Sequence, residues 1–210
     1  MQDFSVYSIL WYFVLYAFFG WCCEVVFCSV NTGKFVNRGF LNGPVCPIYG
    51  FGAVAMALLL EPVKNNLLLL YVASALVCSV LELVAGFLLK KLFHPSWWDY
   101  SDEPFNIGGY ICLKFALLWG IAGVALLRAI HPPVAGFVHW LPHTAGLVLL
   151  AVLYALLLAD LTVTVLGIRK MNRDLGEIAH LGELLRLGSD AMAKNLGGGA
   201  LAVAEKVETL

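Results

Sequence analysis

Residues 67–91 read LLLLYVASALVCSVLELVAGFLLKK. A helix needs about 20 consecutive apolar residues to cross the hydrocarbon core of a bilayer. Leu67 to Leu89 supplies that length before Lys90-Lys91 closes it, and a single carboxylate, Glu82, lies inside. A charge near the bilayer centre costs a few kcal/mol or more (~3), so such residues are rarely passengers. The stretch therefore predicts a membrane helix and marks a position where function can reside.

The same reading extends outward along the chain. Val6 to Val30 is a first span, with Glu24 inside it, and Pro47 to Leu60 is a short second one ending at Glu61-Pro62. Tyr110 to Leu127 is a fourth span. Thr144 to Ile168, with Asp160 inside it, is a fifth, stopped by Arg169-Lys170. His131-Pro132-Pro133 to Pro142 reads as an interfacial turn or short helix, with Trp140 at headgroup level. The whole is an all-α, polytopic integral membrane helix bundle of about five transmembrane helices over residues 1–170. Its composition agrees: 61% hydrophobic, 13% charged, mean hydropathy +0.85, far from an ordinary soluble domain. A net charge of -1 gives no footprint for nucleic acid. Met1-Gln2-Asp3-Phe4 has no basic region, so the first apolar run reads as a membrane helix and not as a cleaved signal.

Basic residues orient the bundle. Lys34 and Arg38, then Lys90 and Lys91, then Arg169, Lys170 and Arg173 follow spans one, three and five, against Lys64 and Arg128 on the other side. This predicts a multi-pass protein of the bacterial cytoplasmic membrane, with its N-terminus outside and its C-terminus cytosolic. From residue 171 the tail reads as cytosolic: Asp174 and Glu177 have capping-box spacing. Ile178, Leu181, Leu184, Leu185 and Gly188 trace one amphipathic face, and Gly197-Gly198-Gly199 is expected to break the helix.

At 1.5 Å per residue, Glu24, Glu82 and Asp160 lie roughly 9, 10 and 13 Å from the inner ends of their spans. Similar depth on three helices predicts one shared polar site, which Lys114 can approach from the same side. Two structured loops, 31–46 and 92–109, are expected to roof it. The first carries Arg38, Gly39, Asn42, Gly43 and Pro44. Pro44 and Pro47 suit a helix start, and Gly50 suits a close approach. The second carries Trp98, Asp99, Tyr100 and Asn106, with Trp97, Trp98, Tyr100 and Phe105 resembling an interfacial aromatic belt. Asp99 facing Arg38 is the pairing expected across the loops.

Other features argue against particular chemistries. Thr32-Gly33-Lys34 lacks the rest of a P-loop, and no nucleophile–base pair is recognisable, so the reading leans away from an enzyme and calls for no cofactor. The six cysteines lack zinc spacing and read as small apolar residues. Pro142 separates His139 from His143, so no metal site is expected there. Trp119, Phe18 and Phe19 read as ordinary lipid or bundle contacts.

Phe19-Gly20-Trp21-Cys22-Cys23-Glu24 running into Asn37-Arg38-Gly39-Phe40-Leu41-Asn42-Gly43-Pro44 carries a family resemblance. So does Trp98-Asp99-Tyr100-Ser101 with Pro104-Phe105-Asn106 and Gly109-Tyr110-Ile111-Cys112. Over roughly residues 8–125 the chain resembles the bacterial membrane-protein family described as Putative ABC-transporter type IV. The resemblance implies a permease-like, multi-spanning subunit that works with a separate ATP-binding subunit. Three functions stay open at this point. One is a transport subunit whose carboxylates bind a cation or relay protons. A second is a membrane-embedded enzyme on a lipid or polyprenyl phosphate, and the third a structural or regulatory subunit. The bilayer, and a second copy of the chain, are further expected partners.

Overall fold

A computed structural model describes residues 4–33, 39–94 and 96–208. Helix α1 (Val6–Thr32) opens on a Ser5 cap, whose Oγ accepts from the Ser8 N–H, and closes on Gly33 at φ 66°. Helix α2 (Pro47–Leu60) starts with proline at its first position, where the missing N–H costs no bond. A 3₁₀ turn, Glu61–Val63, extends it. Helix α3 (Leu67–Phe93) is capped by the Asn66 side chain and carries Lys90 and Lys91 in its last turn. A two-stranded antiparallel hairpin follows, β1 (Asn106–Ile107) against β2 (Ile111–Cys112). Helix α4 (Leu113–Ala125) then passes through a π-helical segment, Leu126–Ile130, into α5 (His131–Trp140). Helix α6 runs from His143 to Glu208.

The fold is an all-α membrane-protein architecture, as expected, with no barrel or large sheet among the described residues. Four described helices are long and apolar enough to cross a membrane: Val6–Val30, Leu67–Phe93, Leu113–Trp140 and His143–Glu177. Pro47–Val63 is apolar but shorter. Two differences from the sequence reading have clear causes. Residues 131–140 take the second of the two expected forms, a short helix and not a turn, but that helix continues the path of α4. Pro132 and Pro133 lie in the first turn of α5, where proline is tolerated, and the π segment before them absorbs the change of hydrogen-bond register. The expected helix start at Asp174 and break at Gly197-Gly198-Gly199 are also absent, because α6 is continuous there. Asp174 and Glu177 instead lie 3.5 and 3.8 Å from the Arg173 guanidinium. Glycine weakens a helix by about 1 kcal/mol but, unlike proline, does not forbid it.

The chain divides into two compact units, Met1–Thr164 and Val165–Leu210. Within the first, α1 packs on α2, α2 on α3 and α3 on α4. One apolar cluster joins Trp11, Tyr12 and Tyr16 of α1 to Ala53, Ala135, Val138 and Leu150. A second joins Met56, Ala57 and Leu60 of α2 to Leu70 and Leu127. Small residues let these helices approach. A Cβ at Gly20 would overlap the Tyr49 ring, and one at Gly50 would lie 2.7 Å from the Phe13 carbonyl oxygen.

Candidate functional site

Glu82 is 6% exposed on α3, and each of its oxygens has one neutral donor. The Tyr100 hydroxyl donates to Oε1 at 3.0 Å and the Trp119 indole N–H donates to Oε2 at 3.2 Å. Trp119 is therefore more than the ordinary bundle contact expected of it: it holds a buried carboxylate. Across the bundle the Tyr49 hydroxyl donates to Glu24 Oε1 at 2.7 Å, and the Cys28 thiol lies 3.9 Å from Oε2. The Tyr49 and Trp119 rings meet edge to face with centroids 5.9 Å apart. Glu24, Tyr49, Trp119, Glu82 and Tyr100 thus form one chain of contacts drawn from four helices and a loop. Gly20 makes it possible, because only a residue without a side chain leaves room for the Tyr49 ring against α1.

The segment between α3 and α4 is built to deliver Tyr100. The Asn106 side-chain amide donates to the Ser101 and Glu103 carbonyl oxygens at 3.1 and 2.8 Å, while its Oδ1 accepts from the Gly109 N–H. The Tyr100 N–H donates to the Gly109 carbonyl oxygen at 2.9 Å. Gly109, at φ 73°, occupies a backbone conformation that favours glycine. Its missing Cβ also leaves room for Asp99 and Ser101. The Trp98 indole donates to the Tyr110 carbonyl oxygen at 2.9 Å, and Tyr100 stacks on Phe115 at 4.6 Å. Burial first, and then the neighbouring Glu82, push the Tyr100 hydroxyl well above the usual tyrosine range, and Glu24 adds to the same push. Both carboxylates therefore act on this one ring.

Asp160 has a different role. Its Oδ1 accepts from the Asn42 N–H at 3.2 Å and from Asn42 Nδ2 at 3.0 Å. Oδ2 accepts from the Gly43 N–H at 2.8 Å, and the Thr164 hydroxyl adds a further donor at 3.2 Å. This is a clamp on the loop before α2, and its described bonds do not join it to Glu24 or Glu82. Asn42 Nδ2 also donates to Thr164 Oγ1 at 2.7 Å. A Cβ at Gly43 would stand 3.1 Å from Asp160 Oδ2, so a small residue suits the clamp.

The remaining expected residues are placed as follows. Lys114 pairs with Glu103 at 2.7 Å and is exposed, so its described partner is in the loop and not one of the carboxylates within the spans. Asp99 accepts from the Ser101 hydroxyl and N–H at 2.5 and 2.9 Å, which hold its carboxyl below the usual range. Arg38 lies outside the described residues, and with it the expected Asp99–Arg38 pairing. The two loops do touch, through Phe40 and Trp97, whose ring centroids are 5.4 Å apart. Pro47 starts α2 and Gly50 meets Phe13, as expected, whereas Pro44 precedes the helix in an exposed bend. Gly39 has only ordinary contact distances around it.

Besides the Tyr49, Tyr100 and Trp119 donors to the carboxylates, two further features were not read from the sequence. Thr164 helps hold Asp160, one turn away, and an i, i+4 Asp–Thr pair was a signal available for it. The Tyr16 hydroxyl lies 2.7 Å from His131 Nδ1 in the buried interior. Nothing local in the sequence joins positions 115 residues apart.

A family model described as Putative ABC-transporter type IV matches residues 11–165, which hold the whole Glu24–Glu82 chain and the Asp160 clamp. No curated protein and no solved structure matches the chain.

Proposed function

The chain belongs to the Putative ABC-transporter type IV family, a transport-related family of membrane proteins, and from that premise we propose that it is a permease-like subunit whose Glu24–Glu82 pair is the transport site. The pair binds a cation or cationic group, or carries a proton, at the end of the bundle that bears the two loops. The observation that carries this reading is the chemistry around the carboxylates. Their described partners are hydroxyl, indole and thiol groups, with no basic side chain among those bonds. Two carboxylates in a low-dielectric interior attract positive charge, and neutral donors can turn away when it arrives. Asp160 serves the same site indirectly, by fixing the loop from which α2 and Tyr49 start.

By the distribution of Lys and Arg, the loop end faces the cytosol, where a separate ATP-binding subunit would meet it. The test uses vesicles from native membranes, so that any such subunit stays attached. Uptake of a panel of inorganic and organic cations is compared with that of vesicles lacking the protein. Glu24→Gln and Glu82→Gln are expected to abolish the protein-dependent flux while insertion and abundance stay normal. Wild-type flux in both variants would show that the transport site lies elsewhere.

A further inference from the structure

His131 is a titratable side chain that the carboxylate site does not use, and it is 1% exposed. Its Nδ1 lies 2.7 Å from the Tyr16 hydroxyl, and the Tyr12 ring meets it edge-on at 4.8 Å. Its Nε2 is buried without a partner among the described residues, and so are Trp11 Nε1 and Ser74 Oγ. Burying one such atom unpaired costs about 1–3 kcal/mol. Polar atoms of this kind are the places that internal water occupies in proteins.

The chain takes trouble to put His131 there. The π-helical segment Leu126–Ile130 directly precedes it. A π turn inserts one residue, which rotates everything after it by about 100° relative to the helix before. The charges of Glu61 and Lys64, an ion pair just beyond α2, also act on the imidazole. From Tyr16 the way to the carboxylates follows one stripe of α1. Tyr12, Tyr16, Gly20 and Glu24 recur every fourth residue, the spacing that shares a helix face. The Tyr49 ring lies over Gly20, between Tyr16 and Glu24, with its hydroxyl on Glu24. About 12 Å of helix rise separates Tyr16 from Glu24.

We infer that His131 and Tyr16 form a second proton station, and that water-bridged transfer along this stripe joins it to the Glu24–Glu82 pair as a proton path through the bundle. The step balances without a redox partner. Nε2 takes a proton from water as the Nδ1 proton passes to the Tyr16 oxygen. Tyr16 releases its own hydroxyl proton to water on the Glu24 side, and rotation of the hydroxyl with a flip of the imidazole ring resets the pair. The groups acting on the imidazole are Tyr12 and Tyr16 from α1 and the Glu61–Lys64 pair beyond α2. The inference rests on the carboxylate reading for where the proton goes, and on the His131 geometry for how it arrives.

The full chain, purified and placed in liposomes loaded with a pH-sensitive dye, is given a potassium diffusion potential, negative inside. Wild-type protein is expected to acidify the lumen faster than protein-free liposomes. His131→Gln and Tyr16→Phe are expected to slow this by about 100-fold, the low end of what a positioned proton carrier contributes. Tyr16→Phe removes one oxygen atom and guards against misfolding of the histidine variant. Proton entry no faster than in empty liposomes, or unchanged in Tyr16→Phe, overturns the station. If Tyr16→Phe is slow but Glu24→Gln and Glu82→Gln conduct normally, the carboxylate reading fails and the His131 station stands.

Discussion

Asp99 and Tyr100 are adjacent, yet proton binding pulls on them in opposite ways. The Ser101 hydroxyl and N–H stabilise the charged form of Asp99, so its folded pKa is depressed. Its contribution is present above the ordinary carboxylate range and is lost as pH falls through the folded value. Tyr100 is held neutral by burial and by Glu82, so its folded pKa is raised above 10.0. Its contribution is present below pH 10.0 and is lost as pH rises towards the folded value. The loop between α3 and α4 is therefore expected to be tightest at intermediate pH and to loosen at both extremes. Amide exchange at Ser101 and Gly109, corrected for intrinsic rates, checks this. Asp99→Asn should remove the acid limb and leave the alkaline one. At this scale the sequence showed which residues were out of place in lipid, because a carboxylate in an apolar run is visible in one dimension. It did not show that Trp119 and Tyr100 would be the donors to Glu82, since either residue is equally at home in an aromatic belt.

Helix contact in a membrane depends on close packing, since lipid tails compete equally for apolar side chains. Gly20 shows how packing places the candidate site at the level of elements. It brings α1 against α2 and leaves the Tyr49 ring its place beside Glu24. Gly20→Ala puts a methyl group into that ring. The expected cost is about 1–3 kcal/mol of overpacking, read as a lower midpoint of thermal unfolding in detergent. Because α1 and Tyr49 must separate, the variant should also lose transport more than its stability loss accounts for. Full activity in a destabilised protein would show that Tyr49 is a packing residue only. Element ends were well marked in the sequence by Pro47 and by Lys90-Lys91, whose effects are local; the Asn66 cap of α3 was read only from the structure. The passage through 126–140 was not, because Pro132-Pro133 is read as a stop unless the π segment before it is known.

On the whole molecule, the long helices keep large apolar side chains outward. Leu68, Leu76, Val80, Val148 and Val152 are each at least half exposed. Soluble monomers do not expose apolar surface on this scale; a bilayer covers it. With α2 as a short span, the N-terminus is expected outside, and a reporter fused after Glu61 should read as external. A cytoplasmic reporter signal there would reverse the assigned orientation. The membrane class, the number of apolar helices and the carboxylates within them were already written in the chain. Hydropathy and helix rise act on consecutive residues, and the bilayer sets the length they must meet. Which carboxylates share a chain of contacts was decided by tertiary structure alone. Asp160 has the same composition and depth signal as Glu24 and Glu82, yet loop N–H groups satisfy it, while the other two share a chain of aromatic donors. Side-chain partners across helices depend on rotation and close approach, set by Gly20 and by the π turn before His131, and those are three-dimensional facts.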